Sequence, residues 1–222
     1  MNRKLYILFF ILCCIMAFGC TAPDENKVFV HGEIDSLGYS QLCISYFNED
    51  KILAYDTVHS SRSGKFDFKV VSFDEITPIT IYFSKQKCWT TLFAKPGDHV
   101  FIKGNIKLVD LLNIKGGIVN DDLSRYKKQI RKLYLNRLSI LNGKYNKSEK
   151  SEERLAEINL LLKRSAKEYI KENPSSIASV VLIQDFFYQD YDPSTKALLD
   201  ILEGDAKDFH LTNRIREGIQ GW

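Results

Sequence analysis

The sequence predicts an α+β protein, with an antiparallel β-sandwich or open barrel of about 7–8 strands followed by a region of about 4–5 helices. In the first half, apolar and polar residues alternate; Phe66, Phe68 and Val70 fall on one side of KFDFKVV. Such a period of two is typical of a half-buried strand. From Asn120 onward the apolar spacing changes to three and four, which predicts helices. Residues 28–118 are therefore expected to form the sandwich and residues 119–222 the helical region.

The stretch from Tyr55 to Val71 is expected to be a hairpin on which the β-rich half is organised. Its loop, Ser60 to Gly64, is polar and ends in a glycine that can adopt a positive φ without a Cβ penalty. The face formed by Phe66, Phe68 and Val70 must then be covered by another sheet or by helices.

The other predicted strands follow the same alternation. In chain order they are VFVHGEI, QLCISYF, ILAYDTV, PITIYF, CWTTLFA and DHVFIKG, with LLNIKGG as a final edge strand. Between the last two full strands, Lys95-Pro96-Gly97-Asp98 predicts a tight turn, since proline presets φ and glycine accepts a positive φ.

The helices are predicted from apolar periodicity and from stop signals. They are expected over Asn120 to Leu141, from Ser151 to the residues before Pro174, over Ser176 to Tyr188, from Asp192-Pro193 to Gly204, and over Lys207 to Ile219. The third of these is apolar on nearly every side, so we expect it to be buried.

The N-terminus has the pattern of a targeting segment. Arg3 and Lys4 precede an apolar run, and the junction Gly19-Cys20 resembles the lipobox of bacterial lipoproteins. The resemblance implies a signal peptide over residues 1–19, a lipid on Cys20 and a polar tether over residues 20–27. The residue after Cys20 is not Asp, which by the common sorting scheme predicts a cell-envelope protein anchored in the outer membrane, facing either the periplasm or the exterior.

The order of four landmarks resembles a known family. YDTVHSSRSGKFDFKV, KPGDHVFIKGN, NIKGGIVNDDLSRY and NPSSIASVVLI follow one another as in the β-rich domain of unknown function that begins many bacterial envelope lipoproteins. In those proteins a helical linker follows, and then usually a thioredoxin-like thiol–disulfide oxidoreductase of the thiol-specific antioxidant type. This chain ends at Trp222, where that domain would begin, and the mature part has no Cys-x-x-Cys, so the redox activity is not assigned to any residue here.

Two cysteines remain in the mature chain, Cys43 and Cys88. In an oxidising compartment they form a disulfide if their strands face each other, and otherwise remain two separate buried thiols. The four histidines show no HExxH spacing and no close pair, so no metal site is predicted, and no cofactor is expected. A net charge of +3 is too small to favour nucleic acid as a partner.

The aromatic residues of the β-rich half offer a further interpretation, either core packing or a platform for a glycan or peptide. They are Tyr39, Tyr46, Phe47, Tyr55, Tyr82 and Trp89. We therefore expect a non-catalytic binding or accessory module, held at the membrane through Cys20, with a protein or glycan partner left open. The alternative is the front part of a thiol–disulfide oxidoreductase whose catalytic domain is missing or encoded separately.

Overall fold

Two four-stranded sheets and a helical layer form the protein in a computed structural model that describes residues 27–47, 52–71, 76–143 and 149–219. The α+β class and the order, strands first and helices second, are confirmed. The predicted signal peptide, Cys20 and all but the last residue of the tether lie outside the described residues. Within those ranges, no helix has the length and apolar character needed to cross a membrane.

The chain crosses between the two sheets four times. Sheet A has the order β4-β1-β7-β8 and sheet B the order β3-β2-β5-β6. The bounds are β1 Lys27–Asp35, β2 Gln41–Phe47, β3 Leu53–His59, β4 Lys65–Val71, β5 Thr77–Phe83, β6 Cys88–Ala94, β7 His99–Asn105 and β8 Asn113–Lys115.

A single apolar cluster fills the space between the two sheets. Sheet A supplies Phe66, Phe68 and Val70 on β4, so the predicted inner face of this strand is confirmed. Sheet B supplies Ile81 and Phe83 among others, both fully buried. Inward and outward residues alternate along β1, β4 and β5, as in a sandwich. At the end of β6, Leu92, Phe93 and Ala94 are all buried, because helices cover the outer face of sheet B there.

The predicted hairpin from Tyr55 to Val71 is wrong in its pairing. Strand β3 pairs with β2 in sheet B, whereas β4 pairs with β1 in sheet A. The loop between them therefore crosses from one sheet to the other. Gly64 has φ of 79°, and a Cβ there would collide with the carbonyl oxygen of Ile34, so glycine is required. Alternation identified the buried face of β4 but carries no information about its neighbour.

One strand pair differs from the antiparallel expectation. Strands β1 and β7 are parallel, with Phe29 opposite His99 and His31 opposite Phe101. The turn before β7, with Gly97 at φ of 83° and Lys95 donating its N–H to the Asp98 carboxylate at 3.0 Å, returns the chain from sheet B to sheet A. The turn was predicted, but the direction of the strand that follows it was not.

The helical layer contains seven α-helices within the described residues. They are α1 Ile118–Gln129, α2 Arg131–Leu141, α3 Glu149–Glu172, α4 Ile177–Ile183, α5 Thr195–Asp200, α6 Gly204–Asp208 and α7 His210–Ile219. A 3₁₀ segment, Ile106–Leu111, precedes β8, and a π-helical turn, Gln184–Tyr188, follows α4.

Four predicted helices differ from those observed. The first is broken at Ile130, whose φ and ψ are −93° and 9° and whose side chain is buried in the helical core. The predicted buried helix is confirmed as buried but changes to π-helical geometry at Gln184. The helix expected from Asp192 begins at Thr195, although the Asp192 carboxylate accepts the Ser194 N–H at 2.8 Å as a capping residue would. It ends at Asp200, and Gly204 begins the next helix instead of ending this one. The last predicted helix, expected over Lys207 to Ile219, is interrupted by the extended residue Phe209 and begins again at His210.

Two side chains of α1 fasten the helices to the sheets. Asn120 accepts a hydrogen bond from the Phe93 N–H at 2.9 Å and donates to the Phe93 carbonyl at 2.7 Å, so its amide pairs with strand β6 as a backbone would. The Ser124 hydroxyl likewise accepts a hydrogen bond from the Ile114 N–H at 3.0 Å and donates one to the Ile114 carbonyl at 2.6 Å. Both side chains are buried. They fix the helical layer to one edge strand of each sheet, Asn120 to β6 of sheet B and Ser124 to β8 of sheet A.

Candidate functional site

A cleft of about 380 Å³ lies between the outer face of sheet B and the helical layer. Its floor comes from β5 and β6, and its opposite wall comes from α1, α2, the π-helical turn and α7. A volume of this size is at the lower end of the range of small-molecule sites, about 300–1,000 Å³. The cleft is therefore the candidate functional site.

The floor combines aromatic rings with hydroxyl groups. Thr80 and Thr91 lie opposite each other on β5 and β6, with their hydroxyl oxygens 3.0 Å apart. Trp89, two residues before Thr91, points to the same side and is 65% exposed. Phe47, at the end of β2, also lines the cleft. A tryptophan this exposed within a concave surface leaves a large ring face open to a ligand.

The π-helical turn supplies much of the polar wall. The Gln189 N–H bonds to the Gln184 carbonyl, five residues earlier, which widens the helix at this point. Gln184, Asp185 and Phe186 all line the cleft as a result. Single π-helical turns occur frequently at functional sites.

Two opposite charges face the cleft without touching each other. Neither Lys127 nor Asp185 makes a hydrogen bond or direct ion pair within the ranges that the structure describes. Burial lowers the pKa of Lys127, against the opposing effect of Asp110 and Asp185. Part of Asp185 stays exposed to solvent. Partial desolvation of its carboxyl group by the surrounding protein raises the pKa of Asp185 to about 6, although Lys127 opposes the shift.

Two tyrosines and an arginine complete the wall. Burial raises the pKa of Tyr126 to about 12 and also raises that of Tyr134, where nearby Asp110 adds to the effect. Both phenols therefore stay protonated at physiological pH. The Arg214 guanidinium lies 6.0 Å from the centre of the Phe47 ring, in a cation–π arrangement that joins α7 to the floor.

The two cysteines are not brought together. Cys43 lies opposite Tyr82 and Cys88 lies opposite Phe83, with β5 between their strands. Two strand spacings of about 4.8 Å exceed the Cα separation of about 7 Å that a disulfide allows, and the two side chains point to opposite faces. Both are free and half-buried. Burial raises the pKa of the Cys88 thiol, and Asp110 raises it further, so the thiolate is disfavoured.

The predicted aromatic platform is only partly assembled. Phe47 and Trp89 line the cleft, and Tyr55 and Tyr82 lie exposed on the same outer face of sheet B. Tyr46 instead packs against the sandwich core. Tyr39 stacks on His59, with ring centres 5.5 Å apart.

A second group on the outer face of sheet A was missed from the sequence. The parallel register of β1 and β7 stacks Phe29 on His99 at 4.7 Å and His31 on Phe101 at 5.1 Å. The His31 Nδ1 atom lies 2.6 Å from an Asp67 carboxylate oxygen. The two histidines are far apart in sequence, so only the strand pairing could reveal them. In the part of the chain that is described, no cluster of three or more metal-ligating side chains occurs.

Comparisons with known proteins leave the family open. No family model matches the chain, and no curated protein matches it. Among solved structures, a structure of pneumolysin aligns with 43% of this chain and 24% of its own chain, at 12% identity and a TM-score of 0.20. The chain thus spans about a quarter of that protein, and a likeness this weak carries no argument about fold or function.

The cleft residues that sequence reasoning missed are Lys127, Asp185, Gln184 and Arg214. In the sequence they lie on helices with the appearance of solvated or fully apolar faces. The only local signal was Asp185 itself, a charged residue within the apolar stretch SIASVVLIQDFFY. A charge in a segment that is otherwise buried requires a partner or a function.

Proposed function

We propose that the protein is a lipid-anchored cell-envelope module that binds a ligand and does no chemistry on it. The observation that carries the proposal is the cleft between sheet B and the helices. It presents the exposed Trp89 ring together with Lys127 and Asp185, which have no direct partner among the described residues, and a ligand would complete the interactions of these groups. A folded protein that keeps a cation and a carboxylate partly desolvated and apart loses stability by doing so, and such losses are common at binding sites.

The anchor is proposed from the N-terminal sequence. Arg3, Lys4, the apolar run and Gly19-Cys20 support cleavage before Cys20 and lipidation of its thiol. The lipid would hold the module at the outer membrane, its membrane partner. Cys20→Ala should move the protein from the membrane fraction to the soluble fraction of cells. Equal palmitate labelling and equal membrane retention of this variant would contradict the anchor.

Ligand binding is tested on the protein as the cell makes it. The wild type is purified from detergent-solubilised envelopes and denatured, and the released small molecules are compared by mass spectrometry with those from Trp89→Ala. We expect at least one species that Trp89→Ala lacks. Phe101→Ala, which removes a half-exposed ring from the outer face of sheet A, should retain that species. Identical profiles for all three proteins would contradict a binding role of the cleft.

The second candidate is the front part of a thiol–disulfide oxidoreductase. The order of the four landmarks is the observation that favours it, together with the helical region that follows the sandwich. An in-frame or frameshifted thioredoxin-like sequence with Cys-x-x-Cys directly downstream of the gene would support it. The raised pKa of Cys88 argues against activity within this chain. Insulin reduction with dithiothreitol should therefore equal the protein-free control, and turnover lost in Cys88→Ser would favour the oxidoreductase.

A further inference from the structure

We propose that the cleft binds a neutral mono- or disaccharide, with one sugar ring seated on Trp89 and its hydroxyl groups bonded to the helical wall. This inference rests on the proposed binding function and names its ligand class. Three features carry it, namely the aromatic floor, the mixed donors and acceptors of the wall, and the balance of charge.

The floor fits the apolar face of a sugar ring. The axial C–H groups of a pyranose form a flat apolar patch, which packs on the face of an aromatic ring, while its hydroxyl groups stay at the rim. Trp89 is 65% exposed, and the Thr80 and Thr91 hydroxyls lie on the same face of the sheet. An apolar ring with polar groups at its edge matches the amphipathic character of such a floor.

The wall offers both donors and acceptors. Each sugar hydroxyl donates one hydrogen bond and accepts up to two, so a single ligand can satisfy carboxylates and cations together. Asp185 and Asp110 would accept, whereas Lys127 and Arg214 would donate. The Gln184 amide can do either. Lys127 and Asp185 make no direct ion pair among the described residues. A polyhydroxy ligand that lies between them would bond to both.

The charge of the lining favours a neutral ligand. Lys127 and Arg214 supply two positive charges, and Asp110 and Asp185 supply two negative charges. A strongly anionic ligand such as a sugar phosphate would meet both aspartates, and a cation would meet Lys127 and Arg214. These four charges sum to zero, which gives neither sign an advantage.

The β6 edge of sheet B, which borders the cleft, disfavours an extended peptide. Peptides commonly bind by adding a strand to an open sheet edge, where the backbone N–H and C=O groups are unpaired. At Phe93 on β6, both groups are already bonded to the Asn120 side chain. A strand added there would have to displace Asn120.

The test uses the fluorescence of Trp89. The chain has two tryptophans, so the Trp222→Phe variant reports on Trp89 alone. This protein is titrated, to about 10 mM ligand, with glucose, galactose, mannose, N-acetylglucosamine and their disaccharides. Matched titrations use tripeptides and sugar phosphates. We expect a saturable change in emission with at least one neutral saccharide, and at least tenfold weaker binding or none for its phosphorylated form and for the tripeptides.

Variants separate binding from folding. Asp185→Asn and Lys127→Met should weaken saccharide binding at least tenfold and should melt no lower than the wild type, because each removes an unpaired charge from the cleft. Glu33→Gln, which changes a paired charge on sheet A, should bind as the wild type does. Equal affinity in all three variants would overturn the proposed site.

The outcomes distinguish this inference from the function on which it rests. Saturable binding of tripeptides or sugar phosphates in place of neutral saccharides, lost in Asp185→Asn, would overturn the saccharide and leave the binding module standing. If no compound of the panel binds, the saccharide is overturned. The mass-spectrometric comparison of wild type with Trp89→Ala then decides separately whether the cleft binds anything.

Discussion

Charged side chains are paired on the outer face of sheet A but lack direct partners in the cleft over the outer face of sheet B, as far as the described residues show. On sheet A, the Glu33 carboxylate lies 3.5 Å from the Lys65 amine and 3.6 Å from the Lys103 amine, and His31 is paired with Asp67. Opposite sheet B, in the helical wall of the cleft, Lys127 and Asp185 have no direct partner among the described residues. The charges on the solvated face of sheet A are already paired and need no further partner. The charges in the cleft are unpaired within the described part of the chain, so they are free to bond to a ligand.

The difference has an energetic consequence. Exposed ion pairs such as those of Glu33 contribute about 0–1 kcal/mol each, so the loss of one changes the free energy of unfolding only slightly. Charges that are partly withdrawn from water and left unpaired lower the stability of the free protein instead. Substitutions should therefore have opposite signs on the two faces.

The largest expected effect comes from the core that supports both faces. Phe68→Ala should lower the free energy of unfolding by about 3–5 kcal/mol, because a buried ring is lost and a cavity remains. Urea unfolding measures it. The control Phe101→Ala removes a ring of the same size from the outer face of sheet A, where it is 46% exposed, and should cost far less. Equal losses would mean that inner and outer faces are wrongly assigned.

The next largest effect concerns the contact between the helical layer and sheet B. Asn120→Ala leaves the N–H and carbonyl of Phe93 without their partner, which should cost about 1–3 kcal/mol. Hydrogen exchange should also become faster at Phe93. Asn113→Ala, at an exposed position of β8, is the matched control and should leave both measurements unchanged. Normal exchange at Phe93 in Asn120→Ala would show that the junction is held by other contacts.

A paired carboxylate in the helical layer should stabilise the fold. Burial alone would raise the pKa of Asp192, but hydrogen bonds from Lys163 and Ser194 outweigh it and lower this pKa to about 2. Asp192→Asn should therefore cost about 1–2 kcal/mol at pH 7. Because the folded pKa lies below the unfolded value of about 4, this contribution is present above pH 4 and lost as the pH falls towards 2. A pH-independent difference between the two proteins would contradict the pairing.

The smallest effect has the opposite sign. Asp185→Asn should raise the melting temperature at pH 7 in the absence of ligand, because it removes an unpaired carboxylate whose pKa is raised to about 6. Because the folded pKa lies above the unfolded value of about 4, the cost of this carboxylate is absent below pH 4 and grows as the pH rises from 4 to 6, so the two melting curves should converge in acid. Glu33→Gln, the paired control, should be neutral or slightly destabilising. A lower melting temperature for Asp185→Asn at pH 7 would show that Asp185 is paired.

Local periodicity predicted much of the fold. Alternation placed Phe66, Phe68 and Val70 inside, and the requirement for a positive φ identified Gly64 and Gly97 as turn residues. These features depend on neighbours within a few residues, where the chain itself fixes which side chains share a face. The change of period near Asn120 likewise marked the start of the helical region.

Strand pairing, and with it the candidate site, was decided only by the tertiary structure. The pairing of β3 with β2 and of β4 with β1, the parallel contact of β1 with β7, and the separation of Cys43 from Cys88 depend on which strands become neighbours. Backbone hydrogen bonds are the same for every strand, so they do not encode a partner in the local pattern. Trp89 and Asp185 line one cleft because Asn120 docks the helices on β6. This contact joins residues that are distant in sequence, and the hydrophobic period of two or of 3.6 residues gives no information about such contacts.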